Sequence, residues 1–187
     1  MALFDAAMKN KVIFVTGGTR SGKSRFAQNL ANGIQGNKVF VATAEALDEE
    51  MKARIESHQK ERPSGWDTIE EAKQLSMVLN NCDGKYEVIL IDCVTIWISN
   101  LLVNSSFSEQ EIENELKILT DSCKSINATV IIVSNEVGSG IVPDNKLSRV
   151  YRDIAGKVNQ EIARTADEVY LVVAGIALHI KGQMSAE

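Results

Sequence analysis

Short apolar runs alternate with longer stretches of helical spacing along this chain. Lys11 to Thr16 reads as a strand, followed by a helix over Lys23 to Ile34. Lys38 to Ala42 is the next apolar run, and Ala46 to Lys60 has helical spacing. Asp67 to Glu71 predicts a short strand, with helix after it to about Asn80. Tyr86 to Asp92 and Ala128 to Ser134 are nearly continuous apolar runs, the mark of strands covered on both faces in a parallel sheet. Helices are predicted over Val94–Val103, Glu109–Ser125 and Lys146–Thr165. Two last strands, Glu168–Val173 and Ile176–Ile180, flank Gly175 and predict a tight hairpin.

This alternation predicts a three-layer α/β sandwich, a mostly parallel sheet with helices on both faces and a C-terminal β-hairpin. In such sheets ligands bind beyond the carboxyl ends of the strands. Those ends are Thr16-Gly17, Ala42-Thr43-Ala44, Asp92 and Ser134-Asn135-Glu136.

At the first of them stands Gly17-Gly18-Thr19-Arg20-Ser21-Gly22-Lys23-Ser24, which fits G-x-x-x-x-G-K-[ST]. A strand precedes it and a helix follows, the context that this phosphate-binding loop needs. Its backbone N–H groups and the helix N-terminus suit a polyphosphate. Lys23 can reach the β- and γ-phosphates, and the Ser24 hydroxyl can sit on Mg²⁺. The fold class expected is therefore a P-loop NTPase that binds GTP or ATP with Mg²⁺.

Composition narrows the partners. The 187 residues suffice for one domain, taken here as residues 11–187 behind an N-terminal extension, 1–10, to which no function is assigned. A formal net charge of −5 argues against a nucleic-acid backbone as the main partner. No apolar run approaches the length of a membrane span. Cys82, Cys93 and Cys123 form no C-x-x-C pair, and no signal peptide is evident, so free thiols in a reducing, cytoplasmic setting are expected.

Other strand ends carry further chemistry. Asp92 closes Val88-Ile89-Leu90-Ile91, an acid after four apolar strand residues, placed to hold Mg²⁺ opposite Ser24. Asn135 and Glu136 open the loop Val137-Gly138-Ser139-Gly140-Ile141-Val142-Pro143. They can touch substrate or metal-bound water, or cap their own loop, and the residues alone leave both readings open. Met51, Ile55 and His58 fall at i, i+4 and i+7, which puts His58 on the apolar side of its helix. A hydrogen-bonded core histidine and a catalytic one both fit that spacing. His179, in the final hairpin, reads as structural. Lys52, Arg54, Lys60 and Arg62 form a basic cluster that suits phosphate oxygens or a solvated helix face.

Several of these segments together resemble the bifunctional adenosylcobinamide kinase/adenosylcobinamide-phosphate guanylyltransferase family. They are Val15 to Ser24, Ala42-Thr43-Ala44, Asp48 to His58, Arg62-Pro63, Gly65-Trp66, Ser134 to Pro143 and Arg152 to Gln160. The resemblance implies a RecA-like sheet, a homotrimer and two reactions. A nucleoside triphosphate phosphorylates adenosylcobinamide. GTP then guanylylates a histidine, and the GMP passes to adenosylcobinamide phosphate with release of pyrophosphate. The resemblance places that histidine at His58 and nucleotide contacts on Gly17 to Ser24, on Ala42, Thr43 and Ala44, on Gln59, Lys60, Glu61 and Arg62, and on Glu70. It places the metal-binding acid at Asp92. A single-activity small-molecule kinase and a nucleotide-switched binding protein are the alternatives that the residues alone leave open.

Overall fold

The structure is a computed structural model that describes residues 10–45, 49, 52 and 65–182. Its centre is a seven-stranded sheet in the order β3-β2-β4-β5-β1-β6-β7. The strands are β1 (Val12–Gly17), β2 (Lys38–Ala42), β3 (Asp67–Glu70), β4 (Val88–Asp92), β5 (Thr129–Asn135), β6 (Glu168–Val173) and β7 (Ile176–Lys181). All neighbours run parallel except β6 and β7, which form the expected antiparallel hairpin. The helices are α1 (Lys23–Asn32), α2 (Leu75–Cys82), α3 (Val94–Ser99), α4 (Glu109–Ser125) and α5 (Lys146–Thr165).

Strand periodicity divides the core in two. Val12 and Phe14, Val39 and Val41, Ile89 and Ile91, and Val130 and Ile132 face α2 to α5. Their alternates Ile13 and Val15, Phe40, Val88 and Leu90, and Ile131 and Val133 face α1 through Ala27, Ala31 and Ile34. Both faces of β1, β4 and β5 are thus dry, which is why these runs are apolar throughout. Trp97 is 1 % exposed, and its indole N–H donates to the Lys73 carbonyl, so the largest core side chain has its polar handle satisfied.

The helices that carry local start signals match the sequence expectation. At α4, Ser108 accepts from the Glu111 amide while the Glu111 carboxylate accepts from Ser108, a reciprocal cap. At α5, Asn145 accepts from the Ser148 amide. Elsewhere the boundaries move. The first helix stops at Asn32, short of Ile34. The helix expected over Val94–Val103 is α-helical only to Ser99 and continues as a π-helical turn over Asn100–Asn104. Asn100 explains the change. Its buried side-chain amide donates to the carbonyls of Thr43 (2.8 Å) and Ala72 (3.1 Å), so tertiary bonds compete with the regular ladder there. The helical spacing over Ala46–Lys60, with His58, lies outside the described residues.

At the lower edge of the sheet, Lys11 donates to Glu168 at 2.6 Å, and Tyr170 donates to the other carboxylate oxygen at 2.7 Å. Burial alone pushes the Glu168 carboxyl up, yet these partners hold it below the usual range. The bridge ties the start of β1 to the start of β6. His179 stacks on Tyr170 with ring centroids 4.8 Å apart, in keeping with its structural reading. Cys82, Cys93 and Cys123 are all free and buried. Among the described residues no helix is long and apolar enough to cross a membrane.

Candidate active site

The loop after β1 has the geometry that its motif implies. Gly22 caps α1 at φ 92°, a left-handed conformation that glycine adopts without strain. No side chain caps the helix, and no acid lies in its first turn. The first N–H groups of a helix have no partner within it, and the dipole favours an anion there. Gly18, Thr19 and Arg20 are exposed, whereas Ser21 and Lys23 are buried. Lys23 is only 9 % exposed and lies with its Nζ 3.3 Å from the Gly18 carbonyl, folded back along the loop.

Long-range bonds hold the loop from both sides. The Glu136 amide donates to the Gly17 carbonyl (3.0 Å), and the Gly175 amide donates to the Ser21 carbonyl (2.8 Å). Gly17 is required by crowding. A Cβ there would meet the Val172 carbonyl oxygen at 2.4 Å and the Ser21 hydroxyl at 2.7 Å. Gly17→Ala should therefore cost about 1–3 kcal/mol through overpacking, read as a thermal midpoint several degrees lower. An unchanged midpoint would mean that β6 yields freely. Gly18 has open space around it, so no such requirement exists there.

Asp92 ends β4 in register with Ala42 on one side and Val133 on the other. One strand, β5, separates it from the loop strand. Its charge and that of Lys23 converge on Cys93. Burial pushes the Cys93 thiol up, Asp92 adds to that shift, and Lys23 opposes it. The acid and the lysine named from sequence thus share one end of the sheet. The Asp92–Cys93 peptide bond is cis.

The Thr43 side chain ties two strand ends together. It is fully buried, donates to the Cys93 carbonyl (2.8 Å) and accepts from the Cys93 amide (2.9 Å). It braces the ends of β2 and β4, while Ala44 beside it is partly exposed. Glu70 ends β3 opposite Ala42 and is exposed. That is four strand spacings from β1, about 19 Å. Gln59, Lys60, Glu61 and Arg62 lie outside the described residues, as His58 does. The sequence did not single out Asn100, Asn159 or the docking of Gly175 on Ser21, because each acts across the fold and has no local signature.

Ser24, partly buried in the first turn of α1, and Asp92 offer hard oxygen donors on adjoining elements. That donor set fits Mg²⁺, which takes few protein ligands and keeps its waters or phosphate oxygens. No cluster of three or more His, Cys, Asp or Glu exists among the described residues, so nothing there suggests a softer or fully caged ion.

Comparison with known proteins agrees with this geometry. The solved structure of the flagellar accessory protein FlaH from Methanocaldococcus jannaschii matches with a TM-score of 0.52 at 15 % identity, covering 93 % of this chain and 79 % of that one. A KaiC-like protein from Pyrococcus horikoshii OT3 matches at 0.51 and 19 % identity, covering 87 % and 71 %. Both likenesses concern the fold alone, that of P-loop NTPases. In sequence, the bifunctional adenosylcobalamin biosynthesis protein CobU of Escherichia coli (strain K12) is 43 % identical over 181 residues, 91 % of this chain and 99 % of that protein. CobP of Pseudomonas aeruginosa, of the same printed function, is 38 % identical over 169 residues, 90 % and 96 %. The family model described as cobinamide kinase / cobinamide phosphate guanyltransferase matches residues 13–180. A phosphate loop, a facing acid and similarity along nearly the whole chain lead to one conclusion: the chain belongs to the cobinamide kinase / cobinamide phosphate guanyltransferase family.

Proposed function

We propose that this chain phosphorylates adenosylcobinamide and then transfers GMP from GTP to the resulting adenosylcobinamide phosphate. The observation that carries this reading is the buried Lys23 at an open helix N-terminus, one strand from Asp92, in a chain of this family. In the first reaction a substrate hydroxyl attacks the γ-phosphorus of GTP or ATP. The bond to the β-bridging oxygen breaks, the nucleoside diphosphate leaves and the hydroxyl proton passes to solvent. Lys23 and the amides of Gly18 to Ser24 hold the phosphates and balance their charge.

In the second reaction a ring nitrogen of His58 attacks the α-phosphorus of GTP, and pyrophosphate leaves. A phosphate oxygen of adenosylcobinamide phosphate then attacks the same phosphorus, the P–N bond breaks and the imidazole is restored. Neutral imidazole is a competent nucleophile near pH 7. His58 and the contacts from Gln59, Lys60, Glu61, Arg62 and Glu70 rest on the resemblance. So does the homotrimer. A cytoplasmic location rests on the three unpaired thiols. Ser24 and Asp92 would hold Mg²⁺, which when bound neutralises phosphate charge.

Two labels test the reading. With γ-labelled GTP, label should move to adenosylcobinamide. With α-labelled GTP, label should stay on the protein in an acid-labile, base-stable bond and chase onto adenosylcobinamide phosphate. Transfer of γ-label without protein-bound α-label would leave a kinase alone, and neither transfer would leave a nucleotide-binding protein. Asp92→Asn should weaken the Mg²⁺ dependence of γ-transfer by about tenfold or more with the fold intact, as lost supporting contacts do. An unchanged Mg²⁺ titration would remove Asp92 from the site.

A further inference from the structure

One strand end beside the phosphate loop carries a side chain that the reactions above leave unused. Asn135 is the last residue of β5, in register with Gly17 of β1. Asp92 is level with Val133 on the other side of β5. Asn135 therefore reaches two residues, about 7 Å, past Asp92 toward the ligand end of the sheet. Strand alternation fixes its side. Val133 faces α1, so Asn135 does too, on the same face as the helix that Lys23 opens.

The Asn135 Oδ1 atom is sealed from solvent and has no hydrogen-bond partner among the described residues. An amide oxygen buried in this way carries an uncompensated desolvation cost in the free protein. The hydroxyls of Thr16 and Ser21, in and just before the loop, are in the same condition. The neighbouring backbone, in contrast, is firmly held. Asn159, 8 % exposed in the middle of α5, donates from Nδ2 to the Asn135 carbonyl at 3.0 Å. Its Oδ1 accepts from the Ser134 hydroxyl at 2.7 Å. The rest of that helix face is Ile154, Ala155, Val158 and Ile162. A polar residue in an apolar stripe has a reason other than packing, and here both ends of its amide clamp the end of β5.

We propose that Asn135 contacts the acceptor substrate in the kinase reaction: its Oδ1 receives the hydrogen bond of the attacking hydroxyl and turns that oxygen toward the γ-phosphorus. Asn159 is the positioning residue that holds Asn135 there. An amide oxygen is no base near neutral pH, so it orients the hydroxyl, whose proton leaves to solvent as the O–P bond forms. This rests on the kinase reading given above.

The test is steady-state phosphorylation of adenosylcobinamide by GTP in wild type, Asn135→Ala, Asn135→Ser and Asn159→Ala. For Asn135→Ala, kcat should fall about 10- to 100-fold, the usual effect of misaligned reactants, while the KM for GTP changes less than about twofold. Its thermal midpoint should not fall, because the deleted oxygen meets no donor among the described residues. Asn135→Ser keeps an acceptor oxygen and should recover part of the kcat. Asn159→Ala should lower kcat with the same unchanged KM for GTP. A kcat for Asn135→Ala within twofold of wild type overturns the proposal. So does a loss of kcat that tracks a fall in thermal midpoint, which marks a merely structural residue. If wild type itself moves no γ-phosphoryl group, the kinase reading fails first and this inference falls with it.

Discussion

Lys23→Ala should abolish both phosphoryl and guanylyl transfer. Lys23 is a nearly buried cation at the mouth of an uncapped helix, and both reactions need the triphosphate held there. Loss of a single preorganised donor at a site of developing charge costs about 10²- to 10³-fold in rate. Here the donor also carries a full charge, so the loss in kcat/KM should meet or exceed that range. The protein should still fold. One partner of the lysine is the Gly18 carbonyl on an exposed part of the loop, and removing a buried ammonium relieves a desolvation cost. The check is kcat/KM for both transfers beside a far-ultraviolet spectrum. Wild-type rates in either reaction would show that this loop does not bind the reacting nucleotide.

His58→Ala should separate the two activities. Without the imidazole no phosphoramidate forms, so transfer of GMP to adenosylcobinamide phosphate should stop. Phosphorylation of adenosylcobinamide passes through no covalent enzyme intermediate and should persist in part. A histidine that merely fills an apolar helix face gives a different pattern, with both rates falling together and the thermal midpoint falling with them. Both rates and the midpoint, measured on one mutant, distinguish the cases. If the variant still makes adenosylcobinamide-GDP from adenosylcobinamide phosphate and GTP, the covalent route is wrong.

Local signals made most of the fold legible. The capping pairs at Ser108 and Asn145 set the starts of α4 and α5, and two-sided apolar runs marked β4 and β5. The phosphate loop was readable because its glycines, lysine and serine act through neighbouring backbone. Features that depend on distant partners were not readable. The Thr43 hydroxyl bonds to Cys93, fifty positions along the chain, a link that no local pattern announces. Asn100 breaks its helix for carbonyls in other segments. Asn159 sits inside a motif noted for its resemblance, yet its link to the strand end appears only when α5 lies against β5. Hydrophobic spacing reports which face is buried, and it is silent about which polar atom meets which.

The contact between Gly175 and Ser21 bears on how a ribosome makes this protein. Synthesis delivers the phosphate loop before β5, β6 and the hairpin turn that flank and brace it. Until Gly175 has left the exit tunnel, β1 has no neighbour on that side and the loop lacks one of its two anchors. Nucleotide therefore cannot template early folding of the nascent chain, and the half-made sheet presents the bare edge of an apolar strand. Chains stalled short of the hairpin should be those that chaperones hold, and nucleotide should first bind once the hairpin turn has docked on the loop.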